Sequence, residues 1–232
     1  TAESSQNMSE EYLSKLGSQA LAGAGSGKDG KFGAAGAVAI ITSNAKTFAY
    51  IAPNAVVTNA GDITVSAVET SKLAVRAWGV SAGGKVGMGA AVAVIYSNNQ
   101  VSAYVGNGAD VTAASLNVTA EKKRVDPSDF DIGFDFEENE FTKNIFEGLE
   151  VLNYLATNNY YGEAIAGSVT DGNVGLSGAF VVIVFNDTTT AYIGDNAQVT
   201  TTGDIKINSK SDVNTKAFGG SVAASNKVGL GL

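Results

Sequence analysis

The residues with chemistry to offer are few, and most of them are carboxylates. Asp129, Asp131, Asp135, Glu137 and Glu140 crowd one stretch of the chain. Carboxylate oxygens gathered over a short loop are what a calcium ion takes, with roughly six to eight oxygens around it. Set against a helix–loop–helix calcium loop, they fall on its first, third, seventh, ninth and last places. Gly133 then stands where a ligand is required, and Phe134 where the sharp turn needs glycine. That geometry is excluded. A looser calcium site from Asp129, Asp131, Asp135 and Glu140 is the remaining metal reading, against a plain solvated acidic surface.

Other candidate chemistry is thinner. Gly23-Ala24-Gly25-Ser26-Gly27-Lys28 has a phosphate loop's composition without its spacing, and no Ser or Thr follows Lys28, so it reads as a linker. Asp62 and Asp204 each follow a glycine and suit turns. Carboxylate pairs can cleave glycosides, but nothing in the order of residues makes two of them converge. The chain has no His and no Cys, and its only arginines are Arg76 and Arg124. The usual general base and the commonest metal ligand are therefore missing, and a disulfide framework is ruled out. No basic stripe is available for nucleic acid. A non-enzymatic protein is expected, with no cofactor beyond that calcium.

Charge is concentrated where the carboxylates are. Residues 126–150 carry nine acidic residues and one basic, Lys143, which matches the net charge of −8 for all 232 residues. The remainder is close to neutral. With 44% hydrophobic residues, 28 Gly and 2 Pro, the chain as a whole reads as ordered and strand-rich. No apolar run is long enough for a membrane-spanning helix, so membrane insertion of this segment is not expected.

What positions these residues is a repeat. Val86-Gly87-Met88-Gly89-Ala90-Ala91-Val92-Ala93-Val94-Ile95 returns from Phe32, from Val174 and, in part, from Val228. Phe32 to Val86 and Val174 to Val228 are both 54 residues; Val86 to Val174 is 88, longer by 34. Two further markers follow in each copy, the first of them at the same count. One is Ala49-Tyr50-Ile51, Ala103-Tyr104-Val105 and Ala191-Tyr192-Ile193. The other centres on Ile63, Leu116 and Ile205. Long-period repetition marks arrays in which each copy buries its apolar face against the next.

Within the first marker residues alternate by size with a period of two, the strand signature. Both faces are apolar or small, so both are expected to be covered. Gly33, Gly87, Gly175 and Gly229 share one place, which predicts close approach of another sheet or hairpin there. Tyr50, Tyr104 and Tyr192 are expected to stack in register, as a structural column rather than a ligand platform. The expected fold is mainly β: a parallel β-helix or β-solenoid of 54-residue repeats with a short helical insertion. Each repeat is either three rungs of about 18 residues or two rungs with a hairpin. An antiparallel membrane barrel is the alternative, but the sequence lacks its polar-in alternation and aromatic girdles.

Four segments follow. Residues 1–17 are expected to be the helical tail of a preceding insertion, with Ser9 as cap and Gly17 as stop. Residues 18–121 are repeats. Residues 122–162 form an acidic helical insertion, and residues 163–232 continue the repeats. The partial copy at Val228 suggests a piece of a longer array.

The pattern Val-Gly-x-Gly-Ala-Ala-Val-Ala-Val, Ala-Tyr-Ile-Gly and Gly-Asp-Ile-x-Ile resembles the repeat tracts of giant bacterial filamentous surface adhesins. These are the filamentous haemagglutinin-like and leukotoxin-like proteins. The resemblance covers residues 18–120 and 163–232. It implies a bacterial cell-surface, extracellular location and a stalk role in adhesion or biofilm contacts. The partner it implies is a host or neighbouring-cell surface, protein or glycan, met through the parent protein. The alternative reading is a binding module whose acidic insert takes carbohydrate, protein or calcium.

Overall fold

In the computed structural model, the structure describes residues 6–26, 30–125 and 158–232. All regular structure among them is β: fourteen strands in three sheets, every pairing parallel. The antiparallel alternative is thereby overturned for these residues.

The chain visits the sheets in a fixed order. A long sheet holds β1 (Gln6–Gly25), β4 (Val56–Ala82), β7 (Asp110–Lys123), β8 (Tyr160–Val169), β11 (Gln198–Thr201), β12 (Ile205–Ser211) and β13 (Thr215–Ala224). An apolar sheet holds β2 (Phe32–Ser43), β5 (Val86–Ser97), β9 (Val174–Phe185) and β14 (Val228–Gly231). A short sheet holds β3 (Lys46–Ile51), β6 (Gln100–Val105) and β10 (Thr188–Ile193).

Pairing follows the repeat itself. Phe32 pairs with Val86, Val86 with Val174 and Val174 with Val228. Tyr50, Tyr104 and Tyr192 likewise pair in a row. Residues partner their equivalents one whole copy away, so neither three short rungs nor two rungs with a hairpin describes a repeat. One copy makes one layer through all three sheets. In the long sheet the register shifts by one residue between Val57 and Ala60, a bulge that brings Ile63 opposite Leu116.

The pairing also shows where the 34 extra residues enter the chain. β4 pairs with β7 through its first half and with β8 through its second. One uninterrupted strand in one layer is thus two strands in the next. The strands reach into the segment expected to be insertion, since β7 runs to Lys123 and β8 starts at Tyr160. Most of the acidic helical insertion expected over residues 122–162 lies outside the described residues.

Residues 1–17 were expected to be helical, yet from Gln6 the chain is strand β1, paired with β4 from Gln6↔Ile63 to Gly25↔Ala82. A lone helix of so few residues is marginal in water. The neighbouring strand offers twenty consecutive pairings, and that ladder overrides the capping signals.

Turns recur by layer as well. Asn54, Gly108 and Asn196 occupy one place and all have left-handed φ, at 59°, 68° and 57°. Asn and Gly are the residues that enter this region at least cost, so one turn shape closes every copy.

Two apolar cores lie between the layers of strand. Ile63, Val65 and Ala67 of β4 pack with Ala103 and Val105 of the short sheet. Farther along, Leu73, Val75 and Ala77 pack with Ala91, Ala93 and Ile95 of the apolar sheet. The long sheet therefore forms one wall and the other two sheets the opposite wall.

Small residues set the spacing of those walls. In β5, Gly87, Gly89, Ala91 and Ala93 point inward and are buried, whereas Met88, Ala90 and Tyr96 point outward and are exposed. A Cβ on Gly79 would collide with the Ala90 carbonyl, and one on Gly89 with that of Gly167. The expected glycine column is tight at Gly87, Gly175 and Gly229, where a Cβ would meet atoms at 2.6, 3.0 and 2.5 Å. At Gly33 the nearest atoms are at 3.7 Å, an ordinary contact, so the expectation fails there.

Candidate functional site: a buried charged centre and an open apolar face

Alternation along β4 places Ile63, Val65 and Ala67 inward, and the next inward residue is Glu69. On β7 the run Leu116, Val118, Ala120 leads in the same way to Lys122. Glu69 and Lys122 are direct partners in the parallel register, and both are fully buried. They face the corner where the apolar sheet passes into the short sheet, at Asn99 in one layer and Asp187 in the next.

The contacts are dense. Lys122 Nζ donates to Asp187 Oδ2 at 2.6 Å and to Glu69 Oε1 at 3.3 Å. Asn99 Nδ2 donates to Glu69 Oε1 at 2.7 Å, while its Oδ1 accepts from Ser43 Oγ at 2.9 Å and the Ala45 amide at 2.8 Å. Asp187 Oδ1 accepts from Ser97 Oγ at 2.7 Å and from the Asn99 amide at 2.8 Å. Tyr160, fully buried, donates its hydroxyl to Asp187 Oδ2. Glu69 Oε2 is buried with no hydrogen-bond partner among the described residues.

Burial raises the Asp187 carboxyl, but the bonds from Lys122, Tyr160, Asn99 and Ser97 outweigh it, so the group lies below the ordinary carboxylate range. Burial lowers the Lys122 ammonium, yet Tyr160, Asp187 and Glu69 together hold it above its ordinary value. The Tyr160 phenol is pushed up, chiefly by burial. Removing one partner from such a pair strands a buried charge, at a cost of about 3–5 kcal/mol.

A second charged group lies on the other face of the long sheet. Glu163 accepts from Trp78 Nε1 at 2.6 Å and from the Tyr161 hydroxyl, with Arg76 Nε 3.7 Å away. Arg76 stands over the Trp78 and Tyr161 rings, at 5.7 and 6.0 Å. Burial, followed by the bond and charge of Glu163, pushes the Tyr161 phenol far up.

Two surfaces complete the picture. The outward positions of β2, β5 and β9 carry no charge, and Phe32, Val38, Ile40, Phe180 and Val182 are exposed. On the same face a shallow groove of about 530 Å³ lies over Gly36, Ala90 and Gly178, walled by Met88, Leu176 and Leu230. The expectation that both faces of these strands are covered is corrected here. Close wall spacing turns the small residues inward and leaves the large ones outside. On the short sheet Tyr50, Tyr104 and Tyr192 stack at 5.1 and 5.0 Å with rings 7° and 5° from parallel. Their faces meet one another, so the column offers edges rather than a flat platform for a ligand.

The calcium candidates Asp129, Asp131, Asp135, Glu137 and Glu140 lie outside the described residues. Among the described residues no three metal-ligating side chains converge. Sequence reading passed over Glu69, Asn99, Lys122, Tyr160 and Asp187. The available signal was a charge at an inward place of the alternation, twice, in equivalent copies.

Comparison of the chain with family models, curated proteins and solved structures finds no match.

Proposed function

We propose that this chain is a stalk segment of a bacterial cell-surface adhesin, folded as a parallel β-solenoid whose every copy adds one layer. The observation that carries this reading is register. Equivalent residues of consecutive copies are hydrogen-bonded neighbours in all three sheets, so each copy seats the next. The resemblance of the repeat to filamentous surface adhesins supports the location and role. The segment carries load rather than turning over a substrate, and it holds a region of the parent protein that meets a host or neighbouring cell. Backbone ladders along the axis supply stiffness, and buried side chains hold the two walls together.

Parallel strands stand about 4.8 Å apart, so length grows slowly with chain and a long stalk needs a very long polypeptide. Small-angle X-ray scattering tests the arrangement on two copies of this chain joined head to tail. The cross-section should stay constant while the long dimension grows by about 4.8 Å per added layer. Two separate lobes in the distance distribution would refute it.

A further inference from the structure

We propose that the buried centre forms its own covalent link, an isopeptide bond between Lys122 Nζ and Asp187 Cγ, with Glu69 as proton carrier. This goes beyond the stalk reading and stands or falls separately from it.

Each part of the required chemistry is in place. The nucleophile is Lys122, whose Nζ touches Asp187 Oδ2 at 2.6 Å. An ammonium cannot attack, so it must first lose a proton. The same bonds that hold the ammonium above its ordinary value oppose that loss. Proton transfer to a carboxylate is therefore the slow step, and it removes both buried charges without changing the sum. Glu69 is 3.3 Å away with its second oxygen unpartnered among the described residues, and it receives that proton.

The electrophile is equally prepared. Ser97 Oγ and the Asn99 amide both donate to Asp187 Oδ1, where negative charge develops as Nζ adds to Cγ. Tyr160 donates to Oδ2, the oxygen that must leave. The parallel ladders fix all of these groups relative to one another, which is the positional advantage of an intramolecular reaction.

The balance closes within the site. The Nζ–Cγ bond forms and the Cγ–Oδ2 bond breaks. Oδ2 departs as water, taking two of the three ammonium protons by way of Glu69 and Tyr160, which both end as they began. No oxidant or co-reactant is needed. Asp187 is 7% exposed while Lys122 and Glu69 are at 0%, so the corner at Asp187 is where water leaves.

The link would join layers at the place where the long strand is interrupted. β7 stops at Lys123, and the bond would tie its end in one copy to the corner between β9 and β10 in the next.

Intact mass of the denatured full chain tests it. The wild-type protein should be lighter than its sequence by one water, and peptide fragmentation should find the Lys122 peptide joined to the Asp187 peptide. Lys122→Arg and Asp187→Ala should have the full sequence mass. Glu69→Gln, nearly equal in size, should keep a β-type circular dichroism spectrum and also remain at full mass. A folded wild-type chain of full mass overturns the proposal, as does a lost water mapped to any other residues. Linking of Glu69→Gln at the wild-type rate overturns the role given to Glu69. If the variants fail to fold, the wild-type mass alone decides.

Discussion

At the scale of single residues, the weight falls on Asn99, whose one amide ties the end of β2 and the corner after it to β4. Asn99→Ala removes the acceptor for Ser43 and the Ala45 amide and the donor to Glu69. Each buried group so stranded costs about 1–3 kcal/mol, so a loss of roughly 3 kcal/mol or more in urea unfolding is expected. The pH response separates the linked and unlinked centres. In Glu69→Gln, held as an ion pair, the Asp187 carboxyl sits below its ordinary value. Its contribution is present above about pH 4, the value in the unfolded chain, and is lost as pH falls through the lower folded value. Lys122 sits above its ordinary value, with Glu69 the smallest of the causes named. Its contribution is complete below about pH 10.4 and is lost as pH rises through the higher folded value. Urea midpoints of this variant should therefore drop at both extremes, more than those of a linked wild-type chain, in which neither group titrates.

At the scale of elements, the spacing of the two walls decides which glycines matter. Gly89→Ala drives a methyl into the Gly167 carbonyl, and neither backbone can yield without breaking its ladder. Overpacking of this kind costs about 1–3 kcal/mol, and the upper end is expected because the obstacle is backbone. Gly36→Ala in the same sheet meets nothing within 4 Å. It should be neutral or stabilising by about 0.5–1 kcal/mol, since alanine loses less chain entropy. Thermal unfolding of the pair compares them directly. The strands, their period of two and their copy-to-copy equivalence were legible because Gly and Ala recur at fixed places from Phe32, Val86 and Val174. Which face is inside was not legible, because both faces are apolar and only the distance between walls chooses the small one. The strand at residues 6–25 was hidden for a related reason. Ser9, Glu10 and Glu11 give local helix-start signals, whereas the deciding ladder to β4 is fifty-seven residues away in sequence. The charged centre escaped because its members come from β4, β7, β8 and a corner, and no short window contains two of them in contact.

At the scale of the whole molecule, stability should be graded along the stack rather than uniform. In repeat arrays each copy contacts only its neighbours, so a layer covered on both sides is held by two interfaces and an end layer by one. Burial follows that rule. Ile63 and Leu116 are each 1% exposed, while their equivalent Ile205 is 45% exposed; Val65 and Val118 are at 0%, and Ile207 is at 46%. The residues are alike in chemistry and in place, so the difference is that β12, among the described residues, is paired on one side alone. Local opening draws on the least-covered elements first, and amide exchange reads its free energy strand by strand. Amides of β7, flanked by β4 on one side and by β11 and β12 on the other, should exchange most slowly. Those of β12 should exchange fastest among strands of the long sheet that follow β4. Joining a second copy of the chain after Leu232 should slow β12 by at least tenfold if a new layer seats on it, and leave β7 unchanged. Uniform protection from β7 to β12 in the single chain would mean that the layers open together, and stacking of separable copies would then be the wrong account of its cohesion.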